Sequence, residues 1–278
     1  MKTETRSASV LKPVLFLILG LMMIGAAWWL TKLNSERQKI KHQRQEFSES
    51  LMTYALFKAS WNPESPNQAE GGICGTAFFV DERTALTAHH VLPTSDLSKP
   101  NDGYSRCRFW LLGRNGRAIV LDKVTLKNLP EVDTTVIKFN KPVPGVEVVE
   151  LSRTLPAVGA AISNQGYIES GDAKAKLKFQ GNELEIDSFN LTPFFNDGEG
   201  LIAEVDKKTF SGGNVNLTNV QFIITSYGGR KGMSGGPLTL RGSLTVIGLM
   251  SSGWPPDVVI KQFLGAVSAT EIIKILQK

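Results

Sequence analysis

The sequence predicts an all-β body preceded by a membrane-spanning run and a helical stalk, and three observations carry this. After Gly71 short apolar runs are broken repeatedly by Gly, Pro, Asn and Asp, the pattern of a sandwich or barrel of short strands. Well before them, Pro13–Thr31 runs nineteen positions without a charge. Between the two, Ile40, Phe47, Leu51 and Tyr54 recur at spacings of seven, four and three, which traces one apolar stripe along a helix.

Residues 1–12 are a short, basic, polar tail. At about 1.5 Å per residue, the run 13–31 reaches roughly 28 Å, close to the thickness of a bilayer core. Trp28 and Trp29 stand at its end, where an interfacial aromatic belt belongs. We read the run as a retained anchor. The competing reading is a cleaved signal peptide, with Gly25 and Ala27 as the small residues at the cut. Lys2, Arg6 and Lys12 precede the run and five Lys or Arg come after it within fifteen residues. That count leans toward a cytoplasmic C-terminal side, whereas a short basic head before an N-terminal apolar run is the form of a signal anchor that exports the C-terminal remainder of its chain. Export is adopted, to the periplasmic or extracellular side.

Residues 32–66 are expected to be a helical stalk and linker. The helix covers Asn34–Ser60, and Asn62-Pro63-Glu64-Ser65-Pro66-Asn67 ends it with two prolines. Its stripe would pair with a copy of itself, lie against the body, or belong to a solvated spacer. The body, 67–278, carries expected strands at Gly75–Val80, Thr84–Thr87, Arg106–Leu112, Ala118–Val124 and Thr134–Phe139. A second set comes after Pro142-Val143-Pro144-Gly145: Ala160–Ser163, Leu177–Gln180, Leu184–Phe189, Leu201–Val205, Gln221–Thr225, Pro237–Leu240, Thr245–Met250 and Phe263–Val267. Ala269–Gln277, with Ile272, Ile273 and Ile275, reads as a C-terminal helix.

The net charge of +5 does not point to nucleic acid, because it is unevenly held. Residues 1–58 contain nine Lys or Arg against four Glu, and the remaining 220 contain 22 of each sign. Basicity therefore flanks the apolar run, where it suits lipid headgroups. Two cysteines, Cys74 and Cys107, exclude a disulfide-dense scaffold; they are one possible disulfide or two free thiols. Three histidines form no zinc motif, and no cofactor is expected.

The chemistry resides in three segments. Gly232-Met233-Ser234-Gly235-Gly236-Pro237 sets a serine among three glycines, which suits a turn whose amides converge beside an exposed hydroxyl. Taken alone it could be only a tight turn before a strand. Upstream lie Leu86-Thr87-Ala88-His89-His90-Val91 and a strand-like run that opens at Asp133. A serine hydroxyl needs an imidazole to remove its proton and a buried carboxylate to orient that imidazole. In these segments the order along the chain is His, Asp, Ser.

With these motifs the chain resembles the trypsin/chymotrypsin superfamily from about Gly71 to the C-terminus, more closely its bacterial HtrA-type and glutamyl-endopeptidase-like branch, in which valine follows the histidine. The resemblance implies two six-stranded antiparallel Greek-key β-barrels with the site between them. It assigns His90, not His89, as general base, Asp133 as orienting carboxylate with Asp122 as rival, and Ser234 as nucleophile. It makes the N–H groups of Gly232 and Ser234 the oxyanion donors. It further implies a specificity pocket walled by Gly228, by Ser251-Ser252-Gly253 and by the strand near Gly265, with Met250 in its floor. Gly228 stands where trypsin-like enzymes keep an acid, so a small or apolar substrate side chain is expected, and Arg230 and Lys231 lie near enough to attract an acidic group. Met233 replaces the aspartate that pairs with a freed N-terminus in trypsin-like zymogens, which argues against activation by N-terminal cleavage. The expected function is a membrane-anchored serine endopeptidase acting on protein or peptide. The alternative is a catalytically silent module that binds peptides or a partner.

Overall fold

The computed structural model describes residues 22–36, 38, 53–65, 68–92, 97–167, 174–191, 193–212, 215–226, 231–253 and 264–277. The chain divides into two units between Phe47 and Ser48. In the first, residues 22–36 form helix α1, on which Met22, Met23, Ile24, Trp28, Trp29 and Leu30 are exposed. Among the described residues no helix is long and apolar enough to cross a membrane. Residues 13–21 of the expected span lie outside the described residues, as do 39–52 of the expected stalk.

Where the stalk expectation meets described residues at its C-terminal end, it is corrected. Tyr54–Trp61 is strand β1, not the end of a helix. Tyr54 and Leu56 pack on one face with Phe79 and Leu111, while Ala55, Phe57, Ala59 and Trp61 pack on the other with Trp110 and Leu184. A strand that is apolar on both faces has no period-2 signature, so periodicity cannot separate it from a buried helix. The body therefore begins before residue 67.

Strand β1 is an interior strand of a seven-stranded antiparallel sheet with β2 (Glu70–Asp81), β3 (Thr84–Ala88), β4 (Arg106–Gly113), β5 (Ala118–Val120), β6 (Val124–Leu129) and β7 (Thr134–Phe139). The spatial order is β5-β4-β1-β2-β3-β7-β6. The expected strand Ala118–Val124 is thus two strands, at opposite edges of the sheet. Only Leu121, Asp122 and Lys123 join them, and that link reaches at most about 14 Å. The sheet must curl until its edges nearly meet. This corrects the first expected barrel: it is a curled seven-stranded sheet, not a closed six-stranded one.

The second expected barrel closes with six strands. Its order is β11 (Pro193–Gly212), β12 (Val215–Thr225), β15 (Leu264–Ser268), β14 (Val246–Gly253), β13 (Pro237–Leu240) and β8 (Ala161–Tyr167). Ile162, Ile202, Ile223, Leu238, Ile247 and Met250 fill it. Between β8 and β11 a separate hairpin, β9 (Lys174–Gln180) and β10 (Glu183–Asn190), folds back over the outer face of β1 and β4. There Trp61 donates its indole N–H to Asn182 O at 3.2 Å, and Arg108 donates to Leu184 O at 3.1 Å.

The two β units share one apolar cluster: Phe78, Leu86 and Ala88 from the first meet Val246, Leu249 and Val267 from the second. The connecting segment is clipped to both, through Val149 N–H to Phe79 O at 2.9 Å and Ser152 N–H to Val246 O at 2.7 Å. Helix α2 (Ala269–Leu276) closes the chain, its first turn capped by the Ser268 hydroxyl, which accepts the Glu271 N–H. Cys74 and Cys107 are not joined in a disulfide; their thiols donate to Leu56 O at 3.2 Å and Leu97 O at 3.1 Å.

Candidate active site

Asp133 ends a short 3-10 turn, Pro130–Val132, in a left-handed backbone conformation at φ 42° and ψ 45°. Few residues other than glycine tolerate this region, and aspartate is among those that do. The turn delivers its side chain inward, where it is 2% exposed. A buried carboxylate must be met by donors, and three converge. The His90 N–H donates to Oδ1 at 2.9 Å, His90 Nδ1 lies 2.8 Å from Oδ2, and the Ser251 hydroxyl donates to Oδ2 in a very short contact. A carboxylate only accepts, so Nδ1 carries the hydrogen and Nε2 is left as the basic nitrogen.

The structure also separates the two neighbouring histidines. His89 turns its ring to Thr135, with Nδ1 3.5 Å from the hydroxyl, and only its backbone N–H reaches Asp133, at the carbonyl, 3.0 Å away. Asp122, the rival carboxylate, is on the surface beside Arg108 at 3.1 Å.

Ser234 lies on the loop that enters β13. Gly232 and Gly235 on either side have φ of +94° and +85°, open to glycine at little cost. At Gly235 space imposes the same choice, since an added Cβ would lie 2.2 Å from Thr76 O and 2.7 Å from Ala88 N. The loop is tied down through Gly235 N–H to Met250 O at 2.7 Å, Gly236 N–H to Met233 O at 3.0 Å, and Thr76 N–H to Ser234 O at 2.8 Å. Among the described residues, the Ser234 hydroxyl donates to Ser251 O at 3.5 Å and has no hydrogen bond to His90. Neither the Gly232 nor the Ser234 N–H meets a protein acceptor among them.

Ser251 is thus the link between Asp133 and Ser234. Its hydroxyl is buried against the carboxylate, a contact the sequence did not indicate. A register shift between Met250 and Ser252 places it there. Met250 is fully buried under the serine loop, its methyl group occupying the space a Gly236 side chain would need. Ser252 and Gly253 continue β14; Gly228 and Arg230 lie outside the described residues. Thr76 was not anticipated from the sequence. A threonine within an apolar strand carries no local signal, because its hydroxyl's partners are 91 and 156 residues away.

A curled sheet and a closed barrel, with a histidine–carboxylate pair on one and a glycine-framed serine on the other, define the class of chymotrypsin-like serine hydrolases. Residues 75–249 match the trypsin-like peptidase domain, and the chain belongs to that family of serine endopeptidases. No curated protein matches it in sequence. Among solved structures it is similar to the Rv3671c protease of M. tuberculosis in its active form, with 16% identity over 82% of this chain and 81% of that one, at a TM-score of 0.50. It is also similar to the HtrA-type protease AlgW with a decapeptide, at 16% identity and a TM-score of 0.53; the match covers 82% of this chain and 64% of AlgW. Both likenesses concern the fold.

Proposed function

We propose that the protein is a membrane-anchored serine endopeptidase in which His90, Asp133 and Ser234 form the catalytic triad. The observation that carries this is the string Ser251–Asp133–His90, held by hydrogen bonds across the two β units, with the glycine-framed Ser234 on the barrel that supplies Ser251. His90 Nε2 takes the Ser234 proton as Oγ bonds to the scissile carbonyl carbon. The carbonyl oxygen becomes an oxyanion, met by the N–H groups of Gly232 and Ser234. His90 then protonates the departing amine nitrogen as the C–N bond breaks, leaving an acyl group on Ser234. Water, deprotonated by His90, attacks that ester, and a carboxylic acid leaves with Ser234 restored. Asp133 stays ionised and stabilises the imidazolium.

By the family resemblance we assign Gly228, Met250, Ser251, Ser252 and Gly253 to the pocket for a small or apolar substrate side chain. The anchor is residues 13–31, with the peptidase unit exported; the exposed apolar side chains of α1 support the anchor. A second reading, a silent peptide-binding module, is favoured by one observation, that the Ser234 hydroxyl is bonded to Ser251 O rather than to His90. Labelling of the full-length protein with a fluorophosphonate decides between them. The triad reading expects an adduct on wild-type Ser234 that is lost in both Ser234→Ala and His90→Ala. A folded wild-type protein that takes no label supports the silent module.

A further inference from the structure

Resting on the reading of Ser234 as nucleophile and of its N–H as an oxyanion donor, we infer that Thr76 is a positioning residue for that oxyanion site, acting across the boundary between the two β units. Thr76 is fully buried on β2, yet four hydrogen bonds converge on it. Its N–H donates to Ser234 O at 2.8 Å and its carbonyl accepts the Thr87 hydroxyl at 2.7 Å. Its own hydroxyl accepts the Tyr167 N–H at 3.0 Å and donates to Gly232 O at 2.9 Å. The direction of that last bond is settled by chemistry, because the hydroxyl has one proton and the carbonyl can only accept.

The consequence comes from the planar trans peptide, in which N–H and C=O point oppositely. Three successive carbonyls of the serine loop are bound by protein donors: Gly232 by the Thr76 hydroxyl, Met233 by Gly236 N–H, and Ser234 by Thr76 N–H. The Met233 bond turns the Ser234 N–H the opposite way. The two Thr76 bonds hold the peptide units on either side of it. Without the hydroxyl, Gly232 is the joint most free to turn, since glycine at φ +94° has alternatives open to it on both sides of φ zero. Thr76 therefore restrains the one residue of the loop whose rotation would disperse both donors. The Gly166 position is matched to this arrangement, since a Cβ there would lie 3.1 Å from the Thr76 hydroxyl oxygen.

The test compares full-length wild type, Thr76→Val and Thr76→Ser by their kcat and KM on p-nitrophenyl acetate. Active sites are counted by fluorophosphonate titration, so that any unfolded fraction drops out of kcat. Thr76→Val keeps the side-chain shape and removes the donor. It is expected to lower kcat per titrated site by about tenfold or more, with KM within a factor of about two, since even one direct donor accounts for about a hundredfold. Thr76→Ser is expected to restore most of the loss. Should Thr76→Val fail to fold, Thr76→Cys, a weak donor of similar shape, carries the same comparison. Val and Ser variants that both match wild type per titrated site, or a loss confined to KM, would overturn the inference while leaving the endopeptidase reading intact. A wild type that neither labels nor turns over overturns both.

Discussion

Tyr167 offers a measurement of how the two β units are joined that does not depend on catalysis. It ends β8 in the closed barrel, is 1% exposed, and packs with Phe57, Trp61 and Trp110 of the curled sheet. Its hydroxyl donates to Thr53 O at 3.0 Å. Burial pushes its pKa up from 10.0 to about 12, against the opposing effects of the Thr53 side chain and Arg114. The neutral phenol is therefore favoured in the folded state, and this fixes the sign. The stabilisation is complete below pH 10, where the unfolded chain also holds the proton, and is lost as pH rises from 10 toward 12. Two pK units correspond to about 2.7 kcal/mol at the limit, of which about 2 kcal/mol is lost by pH 12. Tyr167→Phe cannot ionise. At pH 8 it should be less stable than wild type by about 1 kcal/mol, the worth of one buried hydrogen bond. Denaturant unfolding of both proteins from pH 8 to 12 should show the difference shrink and reverse sign near about pH 11. Tyr54, whose pKa burial also raises, is present in both proteins and is only weakly coupled to Tyr167, its charge being the last of the causes that shift Tyr167. Parallel curves across the whole range would refute the argument.

Gly235→Ala places a methyl group against Thr76 O and the Ala88 backbone at φ +85°. It should lower stability by at least about 2 kcal/mol in thermal or denaturant unfolding. Ser251→Ala removes a donor from a buried carboxylate while leaving the His90 contacts in place. The rate of fluorophosphonate labelling should fall by roughly tenfold, the worth of a hydrogen bond to a charged group; an unchanged rate would mean that His90 alone orients Asp133. A chain beginning at Ser48 should fold and label like full-length protein, whereas one beginning at Trp61 loses nearly all of β1, the strand that joins β4 to β2 inside its sheet, and should not fold. Circular dichroism of the two would separate these outcomes, and a well-folded chain from Trp61 would show that β1 is dispensable.

Much of the body was legible because its signals are local. Pro237–Leu240 is a strand with the expected ends, and the C-terminal helix differs from expectation by one residue, since turn residues and apolar runs mark such elements without reference to the rest of the chain. Long-range pairing carries no such mark. Leu201–Val205 was expected as a five-residue strand, yet β11 runs from Pro193 to Gly212 because β8 and β12 pair with successive parts of it. At the site, the spacing of His90, Asp133 and Ser234 rested on motif resemblance, and each motif is a short contiguous run. For Ser251 the resemblance implied a place in the pocket wall but not the contact of its hydroxyl with Asp133, which the bulge in β14 brings about.

The sequence by itself therefore determined an all-β peptidase body and the candidate residues His90, Asp133 and Ser234, because these depend on residue identity and short spacing. Tertiary structure decided which contacts make them a unit. It split residues 118–124 between opposite sheet edges, drew Tyr54–Trp61 into the core as a strand, and set Thr76 against the serine loop. Those outcomes depend on segments far apart in the chain meeting at hydrogen-bond distance, and a bond across 156 residues leaves no pattern at either end.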